Sequence, residues 1–235
     1  MKVNSARLSY GCGLFGSAIL LFGSLIAALF YQGRGGESYC ILNHFISELG
    51  KVGVSKFALV FNISLILGGL VLILYLLGLG SYIRTKRGYV ATAVGIFSCV
   101  SCGLVGVFPM NHRFLHALVA YLFFYSGLIA ITLFSLSGLF GRQKMSKWLS
   151  IPGMVAVASF ASFLVVPHLS FAAPLRPFRL SPFARPDLIL SAVLEWAIFF
   201  SVIAWFISTS ISLLTKKQMR PRENFIETSS TANPL

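Results

Sequence analysis

The sequence predicts an all-α integral membrane protein: a bundle of six transmembrane helices with a short amphipathic helix on the outer side. Of the 235 residues, 57% are hydrophobic and only 11% are charged, whereas globular domains usually carry about a quarter charged residues. The mean hydropathy is +0.84. Six apolar segments are long enough to cross a bilayer, which takes roughly 20 residues. A soluble fold could not cover this much apolar surface.

The six predicted spans follow one another closely along the chain. Their predicted bounds are about 9–32, 54–83, 89–109, 112–140, 148–168 and 188–214. The first apolar run is too long for the core of a signal peptide, so it is interpreted as an uncleaved span. Only a short turn separates the third and fourth spans, which predicts a tight antiparallel hairpin. The tail, residues 216–235, is predicted to be polar, cytoplasmic and disordered.

The net charge of +13 would suggest nucleic acid in a soluble domain. In a membrane protein, basic residues mostly flank the spans, so no nucleic-acid partner is predicted. Twelve of the 19 Lys and Arg residues fall on one side of the predicted spans and seven on the other. The positive-inside rule then places both termini in the cytoplasm, in the inner (plasma) membrane. Membrane lipids are the predicted partners; the oligomeric state is left open.

Polar residues gather on the predicted outer side. All four histidines lie there: His44, His112, His116 and His168. In the first outer loop, the apolar residues of 41–50 share one helical face, and Asn43, His44, Ser47 and Glu48 share the other. This periodicity predicts a short amphipathic helix at about 42–49.

The last outer loop, Pro167 to Asp187, combines prolines and phenylalanines with Arg176, Arg179 and Arg185. A surface-anchored connection is favoured over a functional lid. Guanidinium groups bind phosphate and carboxylate well, so these arginines are candidates for steering an anionic headgroup.

His112 and His116 are four residues apart, which is a spacing used by zinc ligands on a helix. The intervening Glu of the HExxH motif is missing, and no metal site is predicted. His112 is interpreted as an interfacial residue beside a helix N-cap at Asn111. His116 lies one turn deeper and is the stronger candidate for a functional role.

Glu195 lies within the last span, where an ionisable group is costly and normally faces a partner or a cavity. It is either functional or a hydrogen-bonded link between helices. At about 1.5 Å per residue, Glu195 lies about 11 Å from the outer end of its span, Asn62 about 12 Å and His116 about 6 Å. These similar depths predict a shared site in the outer half of the bundle.

Cys99 and Cys102 form a CxxC motif inside the third span. This is similar to the redox pair of vitamin K epoxide reductases, with Cys40 as a candidate shuttle thiol. The surrounding glycines and serines favour helix packing instead. The sequence does not identify a cofactor.

Four features of the chain occur together: the segments NHFISELG, FNISLILGG and GVFPMNHRFLHALVAYLFF, and a Glu in the last span. In this combination the chain resembles a bacterial and archaeal six-span family called "domain of unknown function 998". Family members often have a basic residue beside that Glu, whereas Trp196 stands here. The resemblance implies six helices in a membrane and gives weight to Ser47, Glu48, Asn62, His116 and Glu195. It implies no activity.

Together these features predict a site that binds or processes a small or lipidic substrate, including one with an anionic headgroup. His116 and Glu195 are the candidate catalytic residues. The candidate substrate-binding residues are Ser47, Glu48, Asn62, Arg176, Arg179 and Arg185. Alternatives are a non-catalytic lipid-interacting, transport or assembly component with a structural polar cluster, a metal-dependent hydrolase resembling alkaline ceramidases, or a quinone-linked thiol redox enzyme. Whether the protein is an enzyme is left open.

Overall fold

The structure, a computed structural model, describes residues 2–140, 147–168 and 185–230. Six α-helices run through these residues, and each contains a stretch long and apolar enough to cross a membrane. They are α1 (Lys2–Leu29), α2 (Ala58–Ile83), α3 (Lys86–Val107), α4 (Arg113–Phe140), α5 (Ser150–Val165) and α6 (Leu190–Ser230). Short 3-10 helices cover Ile46–Gly50, Lys147–Leu149 and Val166–His168. The described residues contain no strand, so the predicted fold class is confirmed.

The helices are arranged as a ring. Each one packs mainly against its neighbours in the chain, and α6 returns to pack against α1. The interior is apolar, with Tyr75, Leu79, Phe134 and Trp205 almost completely buried. Because opposite members of the ring make few contacts, the centre of the bundle retains a cavity.

Small residues allow α2 and α3 to approach closely. A Cβ atom on Gly69 would lie 2.7 Å from the carbonyl oxygen of Cys99, and one on Gly106 would overlap the carbonyl oxygen of Asn62. Close backbone approach of this kind is the usual basis of helix association in membranes, where lipid already satisfies apolar surface. This close approach fixes the position of α3 along the axis of α2. It therefore also fixes the depth of the turn that follows α3.

The turn from α2 to α3 is shorter than predicted. Arg84 ends α2 in the left-handed region, with φ of 49°. The side chain of Thr85 accepts a hydrogen bond from the backbone N–H of Gly88 and so caps α3. The third span therefore begins at Lys86, three residues before the predicted start.

The outer helix is present but shorter than expected. Residues 41–44 form turns, and only Ile46–Gly50 is helical, as a 3-10 helix. The carboxylate of Glu48 accepts a hydrogen bond from the backbone N–H of Phe45. A Glu at the third helical position that binds the N-cap backbone in this way marks the start of a helix, here at Ile46. Ile46 and Leu49 are buried, whereas Ile41, on the same predicted apolar face, is exposed.

The sixth helix extends beyond its apolar part. Its membrane-crossing stretch ends at Thr215, but the backbone remains helical to Ser230. The first part of the polar tail is therefore helical, not disordered as expected from its composition.

Candidate functional site

Residues Tyr39–Gly50, here called the outer cap after the orientation predicted from the sequence, are bound to the chain at the start of α6. Glu48 and Arg185 form a two-pronged ion pair, with N–O distances of 3.0 and 2.9 Å. Arg185 also donates to the carbonyl oxygen of Asn43 at 2.7 Å. The bonds to the Glu48 carboxylate raise the pKa of Arg185. Arg185 is thus occupied within the cap, and Arg176 and Arg179 lie outside the described residues.

Two further hydrogen bonds join the same parts of the chain. The side-chain amide of Asn43 donates to the carbonyl oxygen of Pro186 at 3.0 Å. The backbone N–H of Ile189 donates to the carbonyl oxygen of Leu42 at 2.8 Å. The cap is therefore fixed along its length to the chain that enters the last span.

Tyr39 links the cap to the first turns of α6. Its hydroxyl donates to the carbonyl oxygen of Phe45 at 2.9 Å and accepts from the indole N–H of Trp196 at 2.9 Å. Burial, together with the nearby Glu195 carboxyl group, raises the pKa of Tyr39. The phenol therefore stays protonated and can fill both roles.

His44 lies inside the cap and is only 2% exposed. Its ring packs against those of Tyr31 and Tyr39, with centroid distances of 5.4 and 5.1 Å. Its Nδ1 is 2.7 Å from the side-chain oxygen of Asn43, whose amide nitrogen is committed to Pro186. We therefore place the ring proton on Nδ1; among the described residues, Nε2 is then buried without a partner. The sequence places His44 on the polar face of the outer helix, whereas the ring is buried against Tyr31 and Tyr39.

Glu195 contacts the cap from below. It is 8% exposed, and its Oε2 accepts a hydrogen bond from the backbone N–H of Ile46 at 2.9 Å. The backbone N–H and hydroxyl of Ser47 interact with the same carboxyl group. Amides in the first turn of a helix have no partner within that helix. Glu195 supplies one for the 3-10 helix from a different part of the chain.

His116 and Asn62 make other contacts. Nδ1 of His116 lies 2.9 Å from the carbonyl oxygen of Phe108, and Asn62 donates to the carbonyl oxygen of Gly50 at 3.0 Å. No hydrogen bond links His116, Asn62 and Glu195 to one another in the described part of the chain. Asn62 holds the end of the outer cap, whereas His116 and Glu195 both line the central cavity.

The turn between α3 and α4 also differs from its prediction. Asn111 does not cap α4; its side chain pairs with the backbone N–H and carbonyl oxygen of Val52, both at 2.9 Å. An Asn side chain offers a donor and an acceptor side by side, so it can pair with one residue's backbone across the two outer loops. His112 is exposed, as predicted.

The central cavity has a volume of about 120 Å³. Its wall reaches from Ser47 and Glu195 at the outer end to Leu76, Phe134 and Trp205 deep in the bundle. On α4 the wall extends from His116 to Phe134, which corresponds to about 27 Å of helix. Because this small volume extends over such a length, the cavity is narrow, and it is called the channel below.

The channel wall is mostly apolar, and its polar residues lie at two levels. Ser47, His116 and Glu195 mark the outer end. Ser98, Cys99 and Cys102 lie on α3 between the two ends, and both cysteines are free thiols. Cys40 is exposed in the cap. Among the described residues, no group of three His, Cys, Asp or Glu side chains is placed to hold a metal ion.

Some site residues could not be found from the sequence. Tyr39 and Trp196 are 157 positions apart, and no local pattern signals their hydrogen bond. The channel forms because the six helices close into a ring. The spans show no obvious periodicity that would predict which of them meet. The sequence singles out Trp196 only because members of the resembling family often have a basic residue at this position beside Glu195.

These features define a multi-pass membrane protein with an internal channel and a buried carboxyl group near one end of it. The chain belongs to the family described as "Protein of unknown function (DUF998)", whose sequence model matches residues 14–212. The chain has no significant match among curated proteins or among solved structures.

Proposed function

We propose that the protein binds a lipidic molecule in the central channel, with the polar head at the outer end. The observation that carries this proposal is the shape of the channel, which is long, narrow and mostly apolar, with its ionisable His and Glu side chains at the outer end. Binding sites for small molecules are typically apolar pockets with a few polar groups placed to orient the ligand. A single hydrocarbon chain fits such a channel better than a broad, polar metabolite does.

The site residues have separate roles in this proposal. Ser47, His116 and Glu195 contact the head of the ligand, and any acid–base chemistry would fall to His116 and Glu195. Glu48 and Arg185 act indirectly, because their ion pair fixes the cap that closes the channel. Asn62 positions the cap through the Gly50 carbonyl.

Lipid analysis tests the proposal directly. Ala120 lines the channel one turn below His116, so Ala120→Phe should fill it. Ala117, on the same helix, is exposed on the outer surface of the bundle, and Ala117→Phe is the matched control. Mass spectrometry of the purified wild type and Ala117→Phe should show a co-purifying lipid that Ala120→Phe lacks. Equal lipid content in all three proteins would contradict the proposal.

A second candidate is a structural role for the polar cluster, favoured by the hydrogen bond between Ile46 and Glu195. Glu195→Gln separates the two roles, since Gln keeps an oxygen that can accept from Ile46. If the site binds a ligand, this variant should lose co-purifying lipid while its level in the membrane stays normal. Glu37→Gln, in an exposed loop, controls for the change of charge. Equal losses of protein and of lipid would favour the structural role.

We also propose that both termini are cytoplasmic in the plasma membrane, so that the capped end of the channel faces outward. The distribution of Lys and Arg supports this orientation. Cys40 gives a direct test, because it is the exposed one among the four cysteines. A membrane-impermeant thiol reagent should label intact cells expressing the wild type but not Cys40→Ser. Labelling that requires broken cells would reverse the topology.

A further inference from the structure

The hydrogen-bonding groups at the outer end of the channel restrict the chemistry of the ligand's head. We infer that the channel selects a single-chain lipid with an uncharged hydroxyl head, such as a long-chain alcohol, over fatty acids and phosphorylated lipids. This inference rests on the proposed binding in the channel and adds the class of head group to it.

His116 presents an acceptor to the ligand. The carbonyl oxygen of Phe108 can only accept a hydrogen bond, so the proton of the neutral ring lies on Nδ1. Nε2 therefore carries a lone pair, and no protein group in the described residues donates to it. His116 lines the channel, and we take Nε2 as the atom that accepts a hydrogen bond from the ligand.

Glu195 contributes a carboxyl group that is already held by Ile46 and Ser47. A carboxylate or phosphate placed here finds no positive charge in this carboxyl group. A hydroxyl head can instead donate a hydrogen bond to Nε2 of His116. The polar end of the channel therefore matches a hydrogen-bond donor, and its described residues offer no counter-charge to an anion.

None of the described residues that line the channel is Lys or Arg. Arg185, which is hydrogen-bonded to the cap, is bound by both oxygens of Glu48. Against the described part of the channel wall, an anionic head would lose its hydration without gaining a counter-charge, which is strongly unfavourable.

The apolar chain of the ligand supplies little selectivity. In a membrane, the ligand leaves lipid that is as apolar as the channel wall, so the contacts of its head decide which lipids are retained. Glu195 and Trp205 lie ten residues apart on α6, or about 15 Å along the helix. A medium-length chain bound by its head near Glu195 would thus place its far end near Trp205.

This geometry gives a spectroscopic test with the full chain in detergent. Bromine quenches tryptophan fluorescence only at short range, and Trp205 is buried in the channel wall. Trp148 is 78% exposed and Trp196 lies beside Glu195, so both are replaced by Phe, which leaves Trp205 as the one tryptophan of the three in the sequence. The probes are terminally brominated dodecanol, dodecanoate and dodecyl phosphate, each titrated at neutral pH.

We expect saturable quenching by brominated dodecanol at concentrations at least tenfold below those needed for the two anions. Unbrominated dodecanol should reverse it. His116→Phe should weaken dodecanol binding by about fivefold, the loss of roughly one hydrogen bond.

The possible failures are distinguishable. Tighter or equal binding of dodecanoate or dodecyl phosphate would overturn the head-group inference while leaving the channel as a lipid site. Saturable quenching that is identical in Ala120→Phe and in Ala117→Phe would overturn the proposed function as well, and so would the absence of saturable quenching by any probe.

Discussion

In the outer cap, the Glu48 carboxylate meets two nitrogens of Arg185, and Tyr39 both donates and accepts. In the channel below, the His116 ring is bound from one side only. The polar groups of the cap are mostly bound by other protein groups, whereas fewer protein contacts are made at the channel end. In the proposed function, the first set of polar residues is structural and the second set binds the ligand.

The largest effect on stability is expected from Arg185→Met. This change leaves the Glu48 carboxylate half-buried without its partner, and breaking a buried ion pair costs several kcal/mol. Since Arg185 is itself a quarter exposed, we expect a loss of about 3 kcal/mol in the free energy of unfolding. Denaturant titration followed by circular dichroism measures it.

The matched control is Arg34→Met, which alters an exposed arginine in the loop before the cap. It should change the unfolding free energy by less than about 0.5 kcal/mol. Adding Glu48→Gln to Arg185→Met should restore part of the loss, because it removes the unpaired charge. Equal effects of Arg185→Met and Arg34→Met would show that the ion pair does not hold the cap.

Glu195 should respond differently to two substitutions. Glu195→Ala leaves the Ile46 amide buried without an acceptor, at a cost of about 2 kcal/mol in unfolding free energy. Glu195→Gln keeps an acceptor and should cost less than about 1 kcal/mol. Thermal unfolding of both variants in the same detergent checks the difference. Equal losses would mean that the hydrogen bond to Ile46 contributes little.

The buried His44 side chain should make the stability of the protein depend on pH. Burial lowers its pKa below the ordinary 6.5, and Arg185 lowers it further. The folded state then binds a proton less readily than the unfolded state. The contribution of His44 to the free energy of unfolding is complete above about pH 6.5. It declines as the pH falls towards the lowered pKa of the folded state.

The charged groups that face His44 include Glu48 and Glu37, which partly oppose this shift. Unfolding midpoints of the wild type and of His44→Gln should be compared between pH 7.5 and 5. The wild type should lose more stability on acidification than the variant. Parallel curves would assign the pH dependence to other groups.

The smallest loss of stability is expected when the hydrogen bond from Trp196 to Tyr39, which links the cap to α6, is removed. Trp196→Phe keeps the aromatic packing but removes the N–H that donates to Tyr39. The loss of one neutral hydrogen bond should cost about 1 kcal/mol. Tyr39→Phe should cost more, since it also leaves the carbonyl of Phe45 without its donor. The reverse order would contradict the assigned donor and acceptor roles.

The sequence was sufficient to predict the six spans, because apolar length is a strong and local signal. It also identified Glu195 and His116, since ionisable groups are rare inside spans. It could not separate Asn62 from these two residues, because equal depth does not fix the direction in which a helix turns its side chains. His116 and Glu195 both line the channel, whereas Asn62 faces the outer cap. His44 was misplaced because its environment comes from Tyr31 and Tyr39, not from its own helix periodicity.

A structure of the protein in a lipid bilayer, at a resolution that shows bound molecules, tests the central claim most directly. We predict one elongated non-protein density along the channel, with its head within hydrogen-bonding distance of His116 and Glu195 and its tail near Trp205. A closed channel, in which neighbouring side chains fill the space and Glu195 contacts only the cap, would contradict it.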